Sequence, residues 1–237
     1  MHTALGGSEP TARGRPCVLG LYQSVVLVLF LLRQNPVQQV AAELFGVSQS
    51  TVSRRLALLG PLLERVLAEF VPDPAQASSG KVVLVDGTLV TTWDWACHGI
   101  ELFSGKHRDT GFNLQIAATL DGDLLAVSAP VPGSWHDVRA WRESEFEALF
   151  TDRETIGDLG YIGTGILTGR RKPPGQQRPK ADKIFNHSLS VLRAAVERAI
   201  AHLKDWKILA TRYRGPLSTF PNIVRTITAL AFFRTTW

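Results

Sequence analysis

Residues 81–90 read KVVLVDGTLV, and this apolar run with a single acid decides the fold class. A continuous apolar run of this length, rich in valine, is typical of a strand buried within a sheet. Asp86 follows the most apolar part of the run and directly precedes Gly87. A carboxylate at the end of a buried strand is expected to have a functional or structural role, because an unpaired charge is costly in apolar surroundings. The run therefore predicts a central strand that carries a functional acid.

The sequence after this strand predicts a layered arrangement of strands and helices. Strands are predicted at about 93–103, 112–119, 124–132 and 154–158, with a hairpin turn at 121–123. Helices are predicted at about 136–149, 187–205 and 217–235. This order is typical of an α/β or α+β layer structure.

Three acids follow one another in an order that suits metal chemistry. They are Asp86, Asp158 in ETIGDLGY, and Glu197 in RAAVERAIAHLK, which lies within a helix. Three carboxylates can hold two divalent cations that activate water on one side of a phosphodiester and stabilise the leaving oxygen on the other. Each acid also has a structural alternative. Asp86 and Asp158 each lie beside a turn glycine, and Glu197 has Arg193 four residues before it.

Four helical segments are predicted before the strand, at about 18–33, 37–45, 49–59 and 61–70. Pro36 ends the first segment, Gly46 supplies the turn after the second, and Ser48 caps the third. A stretch rich in Pro, Ser and Gly follows. The predicted divisions are a flexible N-terminus at 1–15, a helical domain at 16–72, a linker at 73–80 and a catalytic domain at 81–237.

The spacing of Ala42, Gly46 and Val52 is that of a helix-turn-helix. A small residue lets the two helices approach, the glycine makes the turn, and the β-branched residue packs the second helix on the first. Further core positions are predicted at Val40, Leu44, Val47 and Leu56. The residues predicted to face DNA are Gln49, Ser50, Ser53, Arg54 and Arg55. The alternative is a small helical bundle with a solvated polar face.

Composition limits the classes of function. The formal charge of +5 and the pI of about 9.5 are compatible with a nucleic-acid partner. Two cysteines make neither a disulfide framework nor a zinc cluster, so a cytoplasmic location is expected. The apolar stretch at 18–32 is shorter than the roughly 20 residues that a spanning helix needs, and we expect a buried helix rather than a membrane role.

The chain resembles bacterial insertion-sequence transposases of the DDE superfamily, on the branch related to the PIF/Harbinger elements. The resemblance begins near Leu21. The blocks that carry it are LRQNPVQQVAAELFGVSQSTVSR, VDGTLV, SGKHRDTGFNLQIAATLDGDLLAV, SWHDVRAWRES, GDLGYIGTG, RRKPPG and FNHSLSVLRAAVERAIAHLKDWKILATRYRGPL. It implies a ribonuclease-H-like, mixed-sheet catalytic core after the helix-turn-helix domain. It also implies that Asp86, Asp158 and Glu197 are the catalytic acids and ligands of two Mg²⁺ ions, with Mn²⁺ as a substitute.

The third acid lies in a pattern that these transposases share, Tyr-x2-Arg-x3-Glu-x6-Lys. Arg193, Glu197 and Lys204 match it, while Ser190 stands in place of the tyrosine. Arg193 and Lys204 are predicted to contact DNA phosphates. Further backbone-contact candidates are Lys106, His107, Arg108, Arg170, Arg171 and Lys172, with solvated loop charge as the alternative. His136 and Asp137 are candidates either for helix capping or for support of the active site.

The resemblance also implies the partners and the reaction. The expected partner is double-stranded DNA, both the terminal inverted repeats of an element and a target, bound by a homodimer or larger assembly near the bacterial nucleoid. The expected reaction is metal-dependent cleavage at the element ends followed by strand transfer. Two alternatives are a catalytically inactive regulator derived from a transposase and a nuclease that cuts without joining.

Overall fold

A computed structural model describes residues 18–93 and 100–235 of the chain. It shows a helical N-terminal region followed by a mixed sheet with helices on both faces. The predicted N-terminal segment 1–15 and most of the predicted strand at 93–103 lie outside the described residues.

The helices and strands are as follows. The helices in the described ranges are α1 (Leu21–Gln34), α2 (Gln38–Phe45), α3 (Gln49–Leu67), α4 (Pro74–Ala77), α5 (Asp137–Glu143), α6 (Phe146–Phe150), α7 (Lys180–Lys204), α8 (Lys207–Ala210) and α9 (Phe220–Thr235). The strands there are β1 (Val83–Thr91), β2 (Phe103–Ser104), β3 (Asp109–Ala118), β4 (Leu124–Val127), β5 (Val131–Pro132) and β6 (Thr155–Ile156). Short 3₁₀ turns lie at Ala68–Phe70, Leu159–Tyr161 and Leu217–Thr219.

The sheet is built around β1 and β3. Its strand order is β2-β3-β1-β6, and β4 and β5 both pair with β3. β1 is antiparallel to β3 and parallel to β6, so the sheet is mixed. The prediction of a buried strand at 81–90 is confirmed by β1. The single strand predicted at 124–132 is wrong, because β4 and β5 pair with different parts of β3.

Three of the predicted helix boundaries need correction. The segment at 136–149 is two helices, because Glu145 adopts a left-handed conformation (φ 67°) between α5 and α6. The segments at 49–59 and 61–70 are largely one helix, α3, which continues through Pro61. The Thr226 hydroxyl of α9 donates to the Gly60 carbonyl (3.2 Å), so α9 contacts α3 at the residue before this proline. α7 begins at Lys180, well before the predicted start.

The helix-turn-helix has the predicted centre but not all of the predicted core. Ala42 and Val52 are buried, as their spacing indicated. Val40 and Leu44 are 49% and 66% exposed, so their prediction as core residues is wrong. The register of α2 instead turns Ala41 inward, where it is completely buried.

One hydrophobic core joins the N-terminal helices to the sheet. It combines buried leucines of α1 and α3 with residues of β1, β3, α7 and α9. A second cluster, on the opposite face of the sheet, packs α5 and α6 against β1, β3 and β4.

The predicted linker contains α4 and contacts the sheet region, since Arg153 donates to the Ala75 carbonyl (3.1 Å) and the Ser78 hydroxyl (3.2 Å). The N-terminal helices and the sheet therefore have a common interior. None of the described helices is long and apolar enough to cross a bilayer.

Asn35 links the end of α1 to the segment after α8. It adopts a left-handed conformation (φ 46°, ψ 49°), and its side-chain amide donates to the Thr211 hydroxyl (2.7 Å) and the Arg212 carbonyl (3.1 Å). We expect Asn35→Ala to lower the free energy of unfolding by about 2 kcal/mol, because alanine is strained in the left-handed conformation and cannot make the two side-chain hydrogen bonds. Denaturant unfolding measures this, with the exposed Gln34→Ala as the control. Equal losses in both variants would contradict the link.

Candidate active site

Asp86 lies in β1 and its side chain faces α7. Alternation along the strand places Leu84 and Val90 on this same face, in the core that contains α7. The Arg193 guanidinium of α7 donates to Asp86 Oδ2 (3.0 Å), and the Gly87 amide donates to Asp86 Oδ1 (2.9 Å). The Asp86 carboxylate is therefore held between a helix cation and its own backbone. Asp86 is the fourth of the nine residues of β1, so the prediction that it closes the strand is wrong.

Asp158 lies next to Asp86 because of the strand register. β6 runs parallel to β1, with Val83 opposite Thr155 and Leu84 opposite Ile156. Continuing this register brings Asp158 level with Asp86, about one strand spacing away. Asp158 Oδ1 also accepts a hydrogen bond from the Gly160 amide (2.7 Å), so this acid shapes the following turn as well. The two acids predicted from the strand ends are thus brought together.

Asp137 joins these acids from the other side of β1. It opens α5, and its carboxylate lies 3.4 Å from Lys106 Nζ. A Cβ added to Gly160 would overlap Asp137 Oδ2 and lie 2.7 Å from Asp158 Oδ1, so both carboxylates border the same glycine. An open cavity of about 570 Å³ lies here, and its charged or titratable lining residues are Lys106, His107, His136, Asp137, Asp158 and Arg171.

The charges of this site influence one another. Burial raises the pKa of Asp86 above its ordinary value, although the Arg193 charge lowers it, and the Asp158 charge adds to the rise. Burial opposes the charge of Lys106, but the carboxylates of Asp137, Asp158 and Asp86 leave its pKa raised. The pKa of Tyr161 is raised well above its ordinary value by burial and by the same three carboxylates. Asp86, Asp137 and Asp158 therefore form one electrostatic cluster.

The raised pKa of Asp86 predicts a stability that depends on pH. The folded protein binds the Asp86 proton more tightly than the unfolded chain does, so ionisation destabilises the fold as pH rises through the raised pKa. Asparagine cannot ionise. Asp86→Asn should therefore melt at a higher temperature than the wild type at pH 7, and the difference should vanish below the unfolded pKa of 3.8. Melts in EDTA across this range measure it, and a less stable variant at pH 7 would contradict the expectation.

Glu197 is exposed on α7. Within the described residues its carboxylate forms no hydrogen bond or ion pair. Glu197 nevertheless lies on the same face of α7 as Arg193, which is four residues before it, and Lys204, which is seven residues after it. Arg193 contacts Asp86, and Lys204 Nζ donates to the Leu89 carbonyl (3.2 Å), so this face lies along β1. Burial lowers the pKa of Lys204. Within the described ranges, no three His, Cys, Asp or Glu side chains already form a metal-binding group.

The other predicted basic candidates have different environments. Lys106, His107 and Arg108 are exposed in one turn, where burial and the Lys106 and Lys204 charges lower the pKa of His107. Arg171 lines the cavity and Lys172 is exposed beside it. In contrast, Arg170 is paired with Asp182 (2.8 Å) and lies over the Phe185 ring.

The recognition helix α3 presents most of its predicted contact residues to solvent. Gln49, Ser50, Ser53 and Arg54 are exposed, and Gln49 is hydrogen-bonded to Gln38 of α2 (2.6 Å). Arg55 is only partly exposed, and its guanidinium is 3.4 Å from the Leu19 carbonyl at the start of α1. The exposed polar face is therefore narrower than the sequence predicted.

A chain of polar side chains beneath the acids was not predicted. The Tyr161 hydroxyl donates to Gln115 (2.5 Å), whose amide donates to Asn113 (3.2 Å), whose amide donates to the Trp135 carbonyl (3.4 Å). The sequence carried a signal for it. Two amides at alternating positions of an otherwise apolar strand indicate one polar face.

These features define a class of site: one carboxylate within a strand and another just after the neighbouring parallel strand, beside an open cavity that is lined by basic side chains and can take an anionic substrate. Comparisons with known proteins agree. Residues 85–231 match the family described as DDE superfamily endonuclease, and residues 17–69 match the helix-turn-helix of DDE superfamily endonuclease. The chain belongs to the DDE superfamily endonucleases, among the transposases of insertion sequences.

Individual relatives support this assignment. A protein of Streptomyces albus G, named as a transposase for insertion sequence element IS112, is 35% identical over 86% of this chain and 76% of its own. A protein of Microchaete diplosiphon, named as a transposase for IS702, is 29% identical over 48% of this chain and 43% of its own. The solved Mos1 mariner paired end complex with Mn covers 83% of this chain and 82% of its own, at 12% identity and a TM-score of 0.21, which is too low to support a conclusion.

Proposed function

We propose that the mixed sheet is a ribonuclease-H-like catalytic core in which Asp86, Asp158 and Glu197 carry DNA cleavage and strand transfer. The observation that supports this proposal is the position of Asp158 two residues after β6, level with Asp86 of the parallel strand β1 when their register is continued. The α7 face of Glu197 lies along the same strand through Arg193 and Lys204. We assign the chain to the branch related to PIF/Harbinger on its sequence blocks.

The residues of the site fit divalent cations. Their oxygen donors are of the kind that Mg²⁺ prefers, and the carboxylates of Asp137 and Asp158 both lie against Gly160, where a Cβ would overlap them. Asp86, Asp158 and Glu197 would hold two Mg²⁺ ions, with Mn²⁺ as a substitute. Bound there, the ions would activate a water and stabilise the leaving oxygen of the phosphodiester. In this assignment Glu197 would reach the cations held by Asp86 and Asp158 from its exposed position on α7.

The basic residues around the cavity would position the DNA backbone. Arg171, His107 and Lys106 line the cavity and can contact phosphates. Arg193 pairs with Asp86 and offsets part of the rise in its pKa, and Lys204 adds positive charge farther along α7. In the N-terminal helical region, Gln49, Ser53 and Arg54 of α3 would contact the bases of the terminal repeats in the major groove. We infer a homodimer or larger assembly on paired ends, acting at the nucleoid in the cytoplasm.

An in vitro reaction tests this proposal. Purified full-length protein is incubated with Mg²⁺, a labelled duplex that carries the element's terminal repeat, and a supercoiled target plasmid. The expected products are cut ends and plasmid molecules joined to the label. Cut DNA without joining would indicate a nuclease. Binding to the repeat without any metal-dependent product would overturn the proposal in favour of a DNA-binding regulator.

A further inference from the structure

We propose that Tyr161, Gln115 and Asn113 are positioning residues, which together hold Asp158 in place beside β1 for strand transfer. Their side chains are connected by hydrogen bonds, and we call this buried set the polar chain. The inference rests on the proposed function, since it adds support for an acid that is already assigned to the reaction. It is carried by the direction of the hydrogen bonds, by the burial of the three side chains and by the contacts of Tyr161 on both sides of Asp158.

The polar chain has a single direction. It ends on the Trp135 carbonyl, which can only accept, so Asn113 donates there with its amide nitrogen (3.4 Å). The Asn113 oxygen is then the acceptor for the Gln115 amide nitrogen (3.2 Å). The Gln115 oxygen is left for the Tyr161 hydroxyl, which donates to it (2.5 Å). The phenol is therefore the first donor of the polar chain, and the other two members are oriented accordingly.

The polar chain is buried, so water does not replace a donor that is lost. Tyr161 and Gln115 are 0% exposed, and Asn113 is 8% exposed. A buried acceptor without its donor costs about 1–3 kcal/mol, which favours one arrangement of the three side chains. Burial and the charges of the three nearby carboxylates raise the pKa of Tyr161 well above its ordinary value, so the phenol keeps the proton that it donates.

Tyr161 contacts the backbone on both sides of Asp158. Its amide donates to the Asp158 carbonyl (3.2 Å) and closes the 3₁₀ turn at Leu159–Tyr161. Its ring lies against Gly157, where an added Cβ would be 2.9 Å from Tyr161 Cδ2. A movement of Tyr161 would therefore also move the backbone that carries Asp158.

The other members of the polar chain lie against the strand that carries Asp86. Gln115 is opposite Gly87 where β3 pairs with β1. A Cβ added to Gly87 would lie 3.1 Å from the Gln115 amide nitrogen and 3.3 Å from the Asn113 side-chain oxygen. Because Gly87 directly follows Asp86, the polar chain connects the turn of Asp158 to the part of β1 beside Asp86.

Single-turnover strand transfer by the full-length protein with Mg²⁺ tests the proposal. Tyr161→Phe keeps the ring and removes the first donor, so the joining rate at saturating terminal-repeat DNA should fall about tenfold, as is typical when an outer residue that orients a metal ligand is lost. The DNA concentration that gives half of the maximal rate should stay that of the wild type. Tyr213→Phe is the matched control and should join as the wild type does, because it removes another buried hydroxyl (2.8 Å from that of Thr219) outside the polar chain.

Fluorine NMR of metal-free protein labelled with 3-fluorotyrosine gives a second readout, without DNA or activity. The sequence has three tyrosines, so Tyr22→Phe and Tyr213→Phe identify the resonance of Tyr161 by elimination. Asn113→Ala interrupts the polar chain at its far end. This variant should shift the Tyr161 resonance and leave the other two in place.

The outcomes separate this inference from the proposed function. Equal joining rates in Tyr161→Phe and Tyr213→Phe would overturn the role of the polar chain and leave the proposed function intact. A wild-type protein that joins no DNA would instead refute the proposed function. Thermal melting shows whether each variant folds. If Tyr161→Phe does not, wild-type joining by Asn113→Ala, or an unmoved Tyr161 resonance in that variant, overturns the inference.

Discussion

Asp158→Asn should reduce strand transfer at least about a thousandfold, while affinity for terminal-repeat DNA stays near that of the wild type. A loss of this size corresponds to about 4 kcal/mol of transition-state stabilisation, a reasonable contribution for a metal ligand. The fold should survive, because asparagine retains the Oδ1 acceptor that receives the Gly160 amide (2.7 Å). α3, to which we assign DNA recognition, contains none of the atoms that change.

The measurement is the joining reaction described above, with a gel-shift assay on the same duplex. Asp152→Asn removes a carboxylate at the exposed end of α6 and should join strands as the wild type does. Full joining activity in Asp158→Asn would remove this residue from the site. Parallel loss of joining and of repeat binding would point to misfolding rather than to chemistry.

Gly111→Ala should cause the largest loss of stability among simple substitutions in the sheet. A Cβ at Gly111 would overlap the Val90 carbonyl oxygen and lie 2.8 Å from its carbonyl carbon and 2.9 Å from Thr91 Cα. These are backbone atoms of β1, which pairs with β3 at this point, so they cannot move without disrupting the ladder. We expect a loss of more than about 3 kcal/mol in the free energy of unfolding.

Thermal melting measures this loss, which corresponds to a decrease of at least about 6 °C for a chain of this size. Gly105→Ala is the matched control, because a Cβ at Gly105 meets nothing within 4 Å. The control should melt close to the wild type. A Gly111→Ala variant that melts with the control would show that β1 and β3 are not packed as closely as described.

Structural features that depend on residues close together in the chain were predictable from the sequence. The apolar run around Asp86 indicated β1 because strand burial is visible in consecutive side chains. The spacing of Ala42, Gly46 and Val52 indicated the helix-turn-helix because each residue satisfies a steric demand within a few turns of helix. The same reasoning indicated the position of Asp158 just after β6, but it placed Asp86 at a strand end, whereas Asp86 lies within β1.

Features that depend on distant contacts were not predictable in this way. Pro61 and Gly60 suggested a break, yet α3 continues through both residues and contacts α9 there through Thr226. The approach of Asp137 to Asp158 depends on where α5 meets the β6 turn, and no local pattern encodes that meeting. The exposure of Leu44 depends on the rotation of α2 against α1.

The common interior of the N-terminal helices and the sheet has a consequence for where DNA is cut. Leu59 and Leu63 of α3 pack in the same core as Leu84 of β1, so the recognition helix and Asp86 are fixed relative to each other. A single molecule can then reach phosphates at one distance and one rotational setting from its bound repeat. Inserting about five base pairs, half a helical turn, between repeat and cut site would turn the scissile phosphate to the far side of the duplex. Cleavage at such an end would have to come from another subunit of the proposed assembly.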